Sequence, residues 1–147
     1  MTRIGLDCKL YYNTGSYSSP NWQEITNAKD VTVPLTKGEA DTSRRGTTWK
    51  TRRGTLKDAS IDFQLVQEDG DAAFAALLDS YLNGTPIELL ALTGEVNEAG
   101  SEGLRCTCEV FSFQDGQALE SAVVYDVSAK PTPSEHDPEW YEAAGAP

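Results

Sequence analysis

The sequence predicts a mainly β protein, a sandwich or partial barrel with one α-helix on its flank. Three observations carry that expectation. Ala59, Ile61, Phe63 and Leu65 alternate with Asp58, Ser60, Asp62 and Gln64, the period of a strand with one buried and one wet face. Only residues 70–83 show a helical period. Clusters of Gly, Asn, Ser and Pro divide the rest into short segments, as turns do between strands. Six or seven strands with one helix among them layer as a sheet-built core with the helix packed against it.

In chain order, residues 4–12 read as the opening strand, with Leu6, Cys8 and Leu10 on one face. Residues 13–21, from Asn13-Thr14-Gly15 to Pro20-Asn21, are a loop. Trp22 to Ile25 restarts extended chain, and residues 27–30 turn. Residues 30–36 form another strand with Val31, Val33 and Leu35 on one face. Pro34 lacks a backbone N–H, which favours an edge position. Residues 37–54 show neither period and read as a long loop; loops of that length are usually functional. Residues 57–67 are the clearest strand. The helix over 70–83 has Asp69 or Asp71 as its cap and Phe74, Leu77, Leu78 and Tyr81 as its apolar stripe. Asn83-Gly84 stops it, with Pro86 just beyond. Residues 86–92 form a strand and 93–103 a loop. Residues 104–114 and 119–130 form two long strands, turned at Asp115-Gly116. Leu119, Val123, Tyr125 and Val127 share a face of the second. From Pro131 the chain reads as a flexible Pro-, Glu- and Ala-rich tail.

A chain of 147 residues fits one domain and can bury a core without disulfides or metals. Its net charge of −11 argues against tight binding of DNA or RNA, whose partners carry a basic balance. The charge is unevenly spread. Residues 37–57 hold Lys37, Arg44, Arg45, Lys50, Arg52, Arg53 and Lys57 against Glu39 and Asp41, a net +5, which leaves −16 for the remainder. Cys8, Cys106 and Cys108 are an odd count, against a closed disulfide framework. Cys106 and Cys108 alternate with Arg105, Thr107 and Glu109, so both belong to one strand face as reduced core thiols. A reducing compartment follows. There is no signal-peptide h-region and no apolar run of membrane-spanning length, so the expectation is a soluble chain made in the cytoplasm.

Chemistry is sparse. The single histidine, His136, falls in the tail, where nothing orients an imidazole beside a nucleophile. Asp58 and Asp62 are separated by roughly 13 Å along a strand, too far for paired glycosidase carboxylates. Asp69 and Asp71 do not match a calcium loop and read as caps. No phosphate-binding glycine loop or nucleophile elbow occurs. Nothing calls for a catalytic residue, a metal or a cofactor. The basic stretch around Trp49 admits three readings: a nucleic-acid arm, an ordinary solvated loop, or an arm that meets the acidic surface of another copy. The last is favoured, because complementary charge orients partners and Trp and Arg anchor interfaces.

The layout resembles phage major tail proteins, the tail tube subunits of long-tailed phages. The resemblance runs from Ile4 to about Thr132. It rests on Leu10-Tyr11-Tyr12-Asn13-Thr14-Gly15, on Trp22-Gln23-Glu24-Ile25 leading to Ala28-Lys29-Asp30-Val31-Thr32-Val33, and on Glu39-Ala40-Asp41-Thr42-Ser43 before Trp49-Lys50. Asn83-Gly84-Thr85-Pro86-Ile87, Gly103-Leu104 and the stretch from Leu119-Glu120 to Pro131-Thr132 complete it. The resemblance implies a tail-tube domain over 1–132 with a tail over 133–147. It implies six copies in a ring, an inner sheet that joins neighbours, and rings stacked into a tube in the virion tail.

The long basic loop of residues 37–57 would reach the next ring through Arg44, Arg45, Trp49, Lys50, Arg52 and Arg53. Tape measure, tail terminator and distal tail or baseplate proteins would be further partners. DNA would pass through the bore without specific binding, and no membrane is involved. Candidates for the bore are Asp58, Asp62, Gln64, Glu120 and Asp126, whose four carboxylates would repel phosphates. Tubes of contractile injection and secretion systems share a related fold and stay open as an alternative. A monomeric carbohydrate-binding or capsid-decoration sandwich is another, with Tyr11, Tyr12, Tyr17 and Trp22 as a binding face.

Overall fold

The computed structural model describes residues 2–143. A 3-10 turn at Gly5–Asp7 precedes β1 (Lys9–Asn13), β2 (Trp22–Glu24), β3 (Ala28–Thr32), β4 (Leu35–Asp41), β5 (Arg52–Ala59) and β6 (Ile61–Val66). Then come α1 (Ala72–Asn83), β7 (Ile87–Leu92), β8 (Glu102–Gly116), β9 (Val124–Pro131) and β10 (Glu139–Glu142).

One antiparallel sheet runs β2-β1-β7-β8-β9-β6-β3. Its two end strands are consecutive in sequence, linked only by Ile25, Thr26 and Asn27. A link that short spans at most ~14 Å, so the sheet must curl until its ends nearly meet. The link bonds to both sides. The Ile25 N–H donates to the Leu10 carbonyl at 2.8 Å, and the Val66 N–H donates to the Asn27 carbonyl at 3.0 Å. The result is the expected partial barrel.

The concave face holds the core. Ile61, Phe63 and Leu65 of β6, Leu89 of β7, Leu104, Cys106, Cys108 and Val110 of β8, and Val127 and Ala129 of β9 are all buried. Helix α1 lies against β8 and β7 and adds Ala73 and Leu77. Asp71 caps it: one carboxylate oxygen accepts the Ala73 N–H at 3.1 Å, the other accepts from Asn27 at 2.9 Å. Gly84 ends it in the left-handed region at φ 71, its N–H on the Ser80 carbonyl. Phe74 leads an aromatic group with Phe113 and Tyr125, ring centroids 4.9–5.8 Å apart. The buried Ser80 hydroxyl accepts the Val110 N–H at 3.2 Å, beside the register slip of β8 against β9.

Several expectations are corrected. The opening strand begins only at Lys9; Gly5–Asp7 turns because the Asp7 carboxylate takes the Ile4 N–H, which leaves Leu6 and Cys8 exposed. The 30–36 strand breaks at Val33-Pro34, and Asp30 sits at φ 53. The long loop is an antiparallel hairpin, β4–β5. The 57–67 strand is divided at Ser60 between two sheets. Asp115-Gly116 stays in β8, and the turn is residues 117–123, with Leu119 fully exposed. The helix buries Ala73, Leu77 and Ser80, while Phe74 and Leu78 are half-buried and Tyr81 is exposed. The tail contains a strand that the sequence did not reveal. β10 pairs with the first part of β8, from Glu139 opposite Arg105 to Glu142 opposite Glu102. Residues 144–147 of that tail lie outside the described residues.

Close packing of β7 on β8 leaves no room at Gly103, where a Cβ would overlap the Ala91 carbonyl. Gly103→Val is therefore expected to cost about 3 kcal/mol or more in urea unfolding, because backbone cannot step aside. Gly46→Ala, in open space, should leave the midpoint unchanged. Asp71→Ala should cost about 1 kcal/mol through the lost cap.

Candidate assembly interface

The β4–β5 arm is the first surface. Its strands pair from Leu35 opposite Ala59 to Asp41 opposite Arg52, with the register slipping between Lys37 and Glu39. From Leu35 to Asp58 every strand residue is exposed. The tip is nonetheless well bonded. Thr42 N–H donates to the Thr51 carbonyl at 3.0 Å, the two threonine hydroxyls lie 2.8 Å apart, and the Ser43 N–H donates to Asp41 at 2.8 Å. Hydrogen bonds from the Ser43 side chain and backbone hold the Asp41 carboxyl below the usual carboxylate range. Arg52 meets Glu39 at 3.4 Å. Among the described residues Arg44, Arg45, Lys50 and Arg53 have no carboxylate within ion-pair distance. Trp49 is 79% and Leu56 86% exposed. All six arm residues singled out in the sequence thus sit on one projecting hairpin.

The second surface is the convex face of β3, β6, β9 and the distal half of β8. Cross-strand neighbours place Thr32 beside Asp62 and Ser128, and Lys29 beside Gln64, Asp126 and Gln114. A shallow groove there is lined by Asp30, Asp62, Gln64, Ser112, Asp126 and Ser128. Asp62 accepts from the Ser128 hydroxyl at 2.6 Å and from Ser60 at 3.3 Å. Three carboxylates against one lysine make this wall acidic. Of the bore candidates, Asp62, Gln64 and Asp126 are brought together on it. Asp58 is not, because the break at Ser60 puts it on the arm opposite Thr36. Glu120 is not either, since it lies in the 117–123 turn. Asp30 and Thr32 belong to this wall and were missed, because the 30–36 strand was read from its apolar face and no sequence pattern shows that it pairs with β6.

The other half of the convex face is covered. Tyr11, Leu90 and Leu92 are buried there against Trp22, Val96 and Tyr141. Arg105, 7% exposed, is its hub. Its guanidinium donates to Glu88 and to the Tyr17 carbonyl at 2.8 Å, and sits 3.8 Å from the Tyr17 ring centre. The Tyr17 hydroxyl donates to Glu139 at 2.9 Å, and His136 stacks on the ring at 3.6 Å. Burial, and then the bond to Glu139, push the Tyr17 hydroxyl up. Tyr11 and Tyr12 are buried, and Arg105 and His136 occupy Tyr17. The four aromatics of the carbohydrate-binding alternative therefore do not form an open platform.

Cys106 and Cys108 are buried as expected, their sulfurs 2.9 Å apart. The bond between them lowers the Cys106 thiol and, with burial, pushes Cys108 up. Among the described residues no group of three or more His, Cys, Asp or Glu side chains is placed to hold a metal ion. No helix among them is long and apolar enough to cross a membrane.

No family model and no curated protein matches the sequence. Solved structures do match. The SPP1 tail tube overlaps with a TM-score of 0.76 at 15% identity, over 96% of this chain and 80% of that one. The tail of an empty gene transfer agent particle, refined with C6 symmetry, overlaps at 0.73 and 14% identity, over 97% and 100%. A chain of the anti-feeding prophage baseplate overlaps at 0.56 and 7% identity, over 93% and 92%. The chain is similar to these proteins in fold, and the fold it shares with the first is that of a tail tube.

Removing Arg105 would strand a buried Glu88 carboxylate. Arg105→Met is expected to destabilise by about 3–5 kcal/mol. Adding Glu88→Leu should recover most of that loss in the same urea titration.

Proposed function

We propose that this chain is a structural subunit of a virion tail tube, built from stacked rings of identical copies, six to a ring. The observation that carries the reading is the β4–β5 arm. A two-stranded hairpin with no packed face is marginal by itself in water, yet this one holds unpaired cations and an exposed Trp49 on an otherwise acidic body. A surface of that kind is completed by another copy. The tail-tube fold of the body supports the same conclusion.

Within the tube, the free outer edges of β2 and β3 would pair with neighbours and so remove the exposed edges that otherwise aggregate. The acidic wall of Asp62, Gln64 and Asp126 would line the bore. Fixed negative charge there repels passing phosphates, so DNA moves through without being held. Arg44, Arg45, Trp49, Lys50, Arg52 and Arg53 would make the contact between rings. The role is architectural and needs no catalytic group. Tape measure, terminator and distal tail proteins would meet the same tube at its lumen and ends. The greater overlap with tail tubes than with the baseplate chain favours this reading over a contractile injection system.

Negative-stain microscopy tests it directly. The intact protein should give rings or tubes, and deletion of 42–51 should leave rings that no longer stack. A strict monomer at high concentration, even with a tail-initiation complex present, would overturn the reading. Tubes carrying Asp62→Lys and Asp126→Lys should still assemble but should retain DNA on a filter at low salt, whereas wild-type tubes should not.

A further inference from the structure

The curled sheet leaves a cavity of about 760 Å³ between the Gly5–Asp7 turn, β3 and the start of β8. Its rim carries Leu6, Val31, Leu35 and Trp140, which are 84, 38, 55 and 58% exposed. Large apolar side chains gathered at one opening mark an interaction site rather than ordinary surface scatter. The opening is also acidic. Glu102 and Glu142 stand directly opposite each other in the β8–β10 pair. Like charges in that position weaken a strand pair, and neither has an ion-pair partner among the described residues. Glu24 and Asp30 line the same opening, where Lys9 is already engaged with Glu24 at 3.4 Å and Lys29 is the remaining cation.

The arm offers the complement. Trp49 projects from its tip, with Arg44, Arg45 and Lys50 on the same ten-residue turn and no carboxylate to meet them. An aromatic knob with a collar of cations fits an apolar hole with an acidic rim, and such anchors carry most of an interface. The arm cannot fill its own hole. Leu35, at the rim, is the first residue of β4, and the outgoing strand carries the tip roughly 20 Å away at the rise of a strand.

We propose that this cavity is the receptor for Trp49 of a second copy, with Glu102 and Glu142 receiving the arginines beside it. This rests on the tube reading and names the two halves of its inter-ring contact. Knob and hole are different patches of one chain, so each copy receives one arm and offers another. A contact of that kind propagates instead of closing on a pair.

Cys8 lines the cavity and is exposed, whereas the other two thiols are buried in the core. It is a built-in reporter. Assembled protein carrying Thr48→Cys, oxidised mildly, should give a ladder of disulfide-linked copies in a non-reducing gel, and Cys8→Ser should abolish it. Separately, Glu102→Lys with Glu142→Lys should lower stacking at least tenfold by light scattering, and adding Arg44→Glu with Arg45→Glu should restore it. If the protein never assembles, the tube reading itself fails. If tubes form and arm deletion prevents stacking, yet no Cys8 link appears and the charge variants stack normally, the receptor is elsewhere and only this inference is overturned. A ladder that survives Cys8→Ser overturns it as well.

Discussion

Strands β2 and β3 are the two edges of one sheet, yet Ile25, Thr26 and Asn27 are all that separates them along the chain. Neither edge can move away from the other, so the five strands between them have to bend around a common interior. Ile25, buried and bonded to Leu10, pins one side. Asn27 pins the other through Val66, and its side chain also reaches the Asp71 cap. The start of the helix is therefore tied to the seam of the barrel. Once the seam is set, the concave face has a fixed volume for Leu77, Leu89, Phe63 and their neighbours to fill.

Curling also divides the convex face. Over β1, β7 and the proximal half of β8 it is roofed by residues of the 14–21 loop, the 93–101 loop and β10, with Arg105 binding the roof to the sheet. Over β3, β6, β9 and the distal half of β8 it is bare and polar. The strand β8 is long enough to serve both halves, pairing with β10 at one end and β9 at the other. One element thus connects the closed side of the molecule to the open one.

The fold class was legible because it depends on local periods. Strand β6 shows the alternation of Ile61, Phe63 and Leu65, and α1 shows both its caps, Asp71 and Gly84. The arm was illegible for the opposite reason. A hairpin exposed on both faces has no apolar side, so its strands leave no period of two, and only the excess of cations marked it. β10 was missed similarly, since Glu139-Trp140-Tyr141-Glu142 is paired through backbone to a strand far away in sequence. The Asp115-Gly116 signal was real chemistry at the wrong place, because the paired strands run on past the core. Asp58 and Asp62 share a face in any sequence reading; only the kink at Ser60 assigns them to different sheets. The cations of the arm were marked by composition, whereas the wall could be drawn only once the cross-strand neighbours were known.

If the chain builds a tube as proposed, its exposed arm also governs how that tube grows. A hairpin that packs on nothing is formed only part of the time in a free subunit, and a ligand whose competent form is fractionally populated binds with correspondingly reduced affinity. Two free subunits therefore make a poor first contact. A subunit arriving at an existing ring would meet a full circle of receptors and edges at once, and each arm that docked would raise the effective concentration of the next. Growth from an end is favoured over nucleation in solution. Tubes of the free protein would therefore appear after a lag that an added preformed ring removes.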